Sequence, residues 1–126
     1  MIKYIELKTG HSDNGPAWIA RVVMSRSGQT LYFSDKALRR GGSQLISGNY
    51  FDISNGDEYW VSGVKKRGGD RHGAGSGHVG IEASAVADYF EEVGITVLPR
   101  QIVVVEDLAT PEPSRFVGIE NATIPR

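Results

Sequence analysis

Between Lys65 and His78 the chain reads Lys-Lys-Arg-Gly-Gly-Asp-Arg-His-Gly-Ala-Gly-Ser-Gly-His. Here Lys65, Lys66, Arg67 and Arg71 face a single acid, Asp70. Glycines leave main-chain N–H groups accessible and permit the curled conformations that cradle anions. Arginines such as Arg67 and Arg71 can clamp a phosphate or carboxylate through two parallel hydrogen bonds, and Lys65 and Lys66 add point charge. His72 lies within the same run, and Tyr59 and Trp60 stand just upstream, where an aromatic face could stack on a ligand. These residue types together predict a non-enzymatic binding module for an anionic partner, nucleic acid or a phosphorylated ligand. The predicted ligand-binding set is Lys65, Lys66, Arg67, Arg71, His72 and Trp60. A solvated loop between two strands would have the same composition.

Catalysis is the alternative. His72 titrates near neutrality and could act as a general acid or base, with Asp70 to orient it. Residues two apart share a face of an extended chain, so the Asp70–His72 pair is geometrically possible. Gly75-Ser-Gly-His-Val-Gly80 has the spacing of a dinucleotide fingerprint but does not open directly into a helix, and a doubly wound sheet is lacking. His11, His72 and His78 fall too far apart to predict a metal site. No cofactor is expected. A third alternative is a protein–protein interaction module, in which the acidic C-terminal part docks on a basic face.

The charge distribution supports an anionic partner more than the total does. Residues 1–81 hold eleven Lys and Arg against seven Asp and Glu, whereas residues 82–126 hold three against eight. The net charge of −1 therefore conceals a basic front and an acidic back. With no cysteine, thiolate catalysis, disulfides and Cys-based zinc sites are excluded. No apolar run reaches the roughly 20 residues of a membrane helix, and the first eight residues carry charges where a signal peptide is apolar. A cytoplasmic location without membrane contact is expected.

The elements that must position this segment are mostly strands. Lys3–Lys8 alternates apolar and charged residues, apart from Tyr4, which suits a half-buried strand. Ala17–Met24 reads as a central strand and Gln29–Phe33 as its hairpin partner. Residues 35–40 are ambiguous between a helical turn, a bulged strand and a loop. Residues 49–54 and 57–62 flank Asn55-Gly56, which predicts a hairpin with a two-residue type I′ turn. Val86, Tyr89, Phe90 and Val93 make one helical stripe within 84–93, with Ser84 as cap and Gly94 as terminator. Gln101–Glu106 reads as a last strand, and residues 108–126 as an irregular tail broken by Pro111, Pro113 and Pro125. With 126 residues the expectation is one domain. Its fold class is mainly β (α+β): a small antiparallel, barrel-like or strongly bent sheet of about six strands with one packed helix.

Several stretches resemble a family of small bacterial proteins of unknown function. The similarity rests on Gly48–Gly77, on Tyr4–Gly10 with Gly15–Ile19, and on Thr30–Phe33, and so covers about residues 1–90. Members of that family sometimes carry the label 1-deoxy-D-xylulose-5-phosphate synthase. Such a synthase is a multidomain thiamine-diphosphate enzyme with a Gly-Asp-Gly motif, from which Gly56-Asp57-Glu58 departs. The resemblance implies a soluble bacterial protein and supplies no catalytic residues.

Overall fold

In the computed structural model, residues 1–11, 15–64 and 77–117 are described. Eight strands form one sheet: β1 (Ile2–Leu7), β2 (Ala17–Met24), β3 (Thr30–Phe33), β4 (Lys36–Arg40), β5 (Tyr50–Asp52), β6 (Glu58–Ser62), β7 (Val79–Glu82) and β8 (Ile102–Val105). Among the described residues the single α-helix, α1 (Val86–Val93), lies between β7 and β8 in sequence. β1 to β6 pair antiparallel in chain order, and β6 pairs back with β1, so six strands close into a barrel. Closure satisfies both edges of each strand in the ring. β7 then adds to β2 in parallel and β8 to β7, with α1 as the crossover between them.

Alternation along the strands sorts side chains into two layers. Ile5, Ala20, Val22, Leu31, Phe33, Leu38, Tyr50, Tyr59 and Val61 fill the barrel. Ile2, Tyr4, Ala17, Ile19, Val79, Ile81, Tyr89 and Ile102 form a second core outside it, beneath α1. β1 is thus buried on both faces. Glu6 and Lys8, expected on a solvated face, are 0% and 6% exposed. Glu6 is held there by the Tyr4 hydroxyl (2.5 Å) and by Lys8 Nζ (3.0 Å). A buried carboxylate needs such charged and hydrogen-bonding partners.

Two local expectations need correction, and one ambiguity is resolved. The hairpin of β5 and β6 forms, but its turn is longer than Asn55-Gly56. Tyr50 faces Tyr59, Asp52 N–H donates to Asp57 O at 2.8 Å, and only Gly56 takes positive φ (+82°). Asp52 Oδ1 accepts the Ser54 N–H (2.8 Å) and hydroxyl (2.6 Å), so it begins the turn early and overrides the dipeptide signal. Residues 36–40 resolve as a strand after a two-residue turn in which Ser34 takes φ +54°. Ser84 does not cap α1 through its side chain. Instead Asp107 Oδ1 accepts the Ser84 N–H at 2.9 Å, within the 3-10 turn Ala83–Ala85 that leads into α1. That N–H holds the Asp107 carboxyl below its ordinary pKa. Gly94 ends the helix at φ +80°, as expected.

Candidate functional site at the open barrel mouth

Lys65, Lys66, Arg67, Asp70, Arg71 and His72 lie outside the described residues, as does Ser76. Val64, at the near end of that segment, is buried against the outer core, and Gly77 and His78, at its far end, are exposed. Trp60, expected to offer a stacking face, is half-buried and packs against the outer core. The register of β6 on β1 sets Ser62 opposite Tyr4. The basic segment therefore begins three residues beyond the end of a barrel strand.

At that end the barrel opens into a cavity of about 460 Å³ lined by Met1, Lys3, Met24, Arg40, Gly42, Asn49, Tyr50, Val61 and Ser62. Parity explains the lining. Lys3 shares the inward face of β1 with Ile5, and Arg40 shares that of β4 with Leu38. Both cations sit one step above the apolar floor, and Met24, Tyr50 and Val61 form the walls. Arg40 Nη2 donates to the Tyr50 hydroxyl at 3.3 Å, and its Cζ lies 5.7 Å from the Tyr50 ring centroid. No carboxylate is among the lining residues. Among the described residues, neither Lys3 nor Arg40 joins an ion pair.

The rim is fixed by main-chain contacts. Asn49 acts as an extra strand residue: its Oδ1 accepts the Val61 N–H at 2.7 Å and its Nδ2 donates to Val61 O at 2.8 Å. The neighbouring loop curls so that the N–H groups of Ile46, Ser47 and Gly48 all donate to Glu58 Oε1, at 3.0, 2.8 and 2.9 Å. Glycine is required at 48, since a Cβ there would lie 2.5 Å from Tyr59 O. These N–H groups, Ser47 and Gly48 foremost, hold the Glu58 carboxyl below its ordinary pKa. A main-chain anion nest does occur in this molecule, but its occupant is the chain's own Glu58.

The acids lie elsewhere. Asp88, Glu91 and Glu92 of α1 line a second cavity, of about 310 Å³, which shares Met1 and adjoins Ile2. Among the described residues, no group of three His, Cys, Asp or Glu could hold a metal. Nor is any helix among them long and apolar enough to cross a membrane. Sequence reasoning missed Lys3, Arg40 and Asn49. The available signal was a cation at a strand end with the same parity as core residues, Lys3 with Ile5 and Leu7, and Arg40 with Leu38. Comparison with protein-family models, curated proteins and solved structures found no match to the chain.

Proposed function

We propose that the chain is a binding module for a small phosphorylated or carboxylate-bearing ligand, seated in the barrel mouth. The carrying observation is the convergence of Lys3 and Arg40, neither ion-paired among the described residues, above an apolar floor in a cavity of about 460 Å³. That volume falls within the roughly 300–1,000 Å³ of small-molecule sites. A guanidinium recognises an oxyanion through parallel N–H donors, and the lysine adds charge without directional demand. Met24, Tyr50 and Val61 suit the apolar body of such a ligand. The basic run from Lys65 to Arg71 follows β6 in sequence and lies outside the described residues. The reading places the protein in the cytoplasm, where phosphorylated metabolites are abundant.

Titration with phenyl phosphate, inorganic phosphate and a single-stranded oligonucleotide at low ionic strength tests it. Phenyl phosphate is expected to bind saturably and more tightly than inorganic phosphate, with loss of binding in the Lys3→Ala/Arg40→Ala double variant. If the oligonucleotide binds and phenyl phosphate does not, the mouth is not the site and nucleic acid replaces the small ligand. No binding of any of the three probes overturns the reading.

A further inference from the structure

We infer that β8 is a self-association edge, through which two copies of this chain join their sheets antiparallel. β8 ends the strand order and pairs only with β7 among the described residues. Gln101 O accepts the Val79 N–H, so alternation along β8 turns the backbone groups of Val103 and Val105 toward β7 and those of Ile102, Val104 and Glu106 outward. Ile102 N–H is already taken by Pro99 O, which leaves the Ile102 carbonyl and both Val104 groups on the open edge. Val103 and Val104, on opposite faces of the strand, are 45% and 49% exposed. An exposed run of valines whose outward backbone groups have no partner among the described residues is a template for another strand.

The occupant follows from symmetry and charge. A two-fold axis normal to the sheet requires a residue to meet its own copy. With Val104 on the axis, Ile102 would oppose a charged Glu106 from the partner. With Val103 on the axis, Ile102 pairs with Val104 of the partner subunit, and Val104 N–H donates to the Ile102 carbonyl in both directions. The same register brings Arg100 toward Glu106 of the partner subunit at each end of the pair. Among the described residues, Arg100 and Glu106 have no ion pair of their own. The segment from Arg100 to Glu106 is thus self-complementary: a cation, an apolar centre, an anion.

Sedimentation over a concentration series tests this. The parent chain is expected to approach twice 13.7 kDa as concentration rises into the high micromolar range. Val104→Pro removes the central donor on an edge that tolerates proline, so it should leave circular dichroism unchanged and the mass at one chain. Arg100→Glu should weaken association roughly tenfold through like charges at both ends, and adding Glu106→Arg should restore it. A monomeric parent at every concentration, or a dimer indifferent to Val104→Pro, overturns the proposal. Failure of the charge swap to restore association overturns the register.

Discussion

The two ends of the barrel are built from the same strands and finished in opposite ways. At one end Leu7, Trp18 and Phe33 face inward, with the Trp18 and Phe33 rings 5.4 Å apart, and Leu108 packs against the same interior. The inward acid there, Asp52, is 3% exposed and satisfied by the N–H and hydroxyl of Ser54. Leu108 is held by its N–H donating to Glu82 Oε2 at 2.7 Å, while Glu82 Oε1 takes the Arg21 N–H at 2.8 Å. At the other end Lys3 and Arg40 occupy the corresponding inward positions and leave a cavity. The difference shows a division of labour within one small barrel. Apolar closure at one mouth supplies stability, so the other can carry cations that a core would reject.

The largest expected effect breaks the closed end. Phe33→Ala should lower unfolding free energy by roughly 3–5 kcal/mol, read from denaturant midpoints, because the site is fully buried and cannot collapse. Lys3→Ala/Arg40→Ala at the open end should change stability by no more than about 0.5 kcal/mol. The same double variant should weaken phenyl phosphate binding at least about tenfold, since it removes charge-assisted hydrogen bonds. If stability falls as far as in Phe33→Ala, the open mouth is structural and the contrast fails.

Smaller effects sharpen the contrast through pH. Glu58 has a folded pKa below its usual 4.5, so the stabilisation it gives the rim loop is present above that value and lost as pH falls through the folded one. Amide exchange at Ile46, Ser47 and Gly48 should therefore accelerate in acid, and in Glu58→Gln at neutral pH. Unchanged exchange in that variant would remove the nest from the account of the rim. Tyr59, inside the barrel, is pushed up to about 12 by burial, then by the fields of Asp52, Asp57 and Asp35. A raised phenol stabilises fully below pH 10, and the contribution declines as pH climbs toward 12. Tyr59→Phe should flatten that part of the alkaline stability profile.

Much of the barrel was legible from local pattern. The hairpin of residues 49–62, the run Ala17–Met24 and the stripe on α1 follow from periodicity and turn chemistry, and the structure has all three. The strand at 36–40 was not legible, because Ser34-Asp35 carries no primed-turn signature and the residues after it are as helical as they are extended. The parallel pairing of β7 and β8 was missed for a related reason. β7 is only Val79–Glu82, and four residues carry no period that distinguishes a strand from a loop.

The amino-acid order by itself determined which segments alternate, where Gly56 and Gly94 turn the chain, and that cations gather ahead of acids. Each depends on neighbours within a few residues, which local sterics and periodicity govern. Tertiary structure alone decided that Glu6 and Lys8 are buried, that Asp107 meets the Ser84 N–H far away in sequence, and that Lys3 and Arg40 meet over one cavity. Those outcomes depend on ring closure and on a second layer packed outside it. Closure sets which strands become neighbours, and no short-range signal encodes that choice.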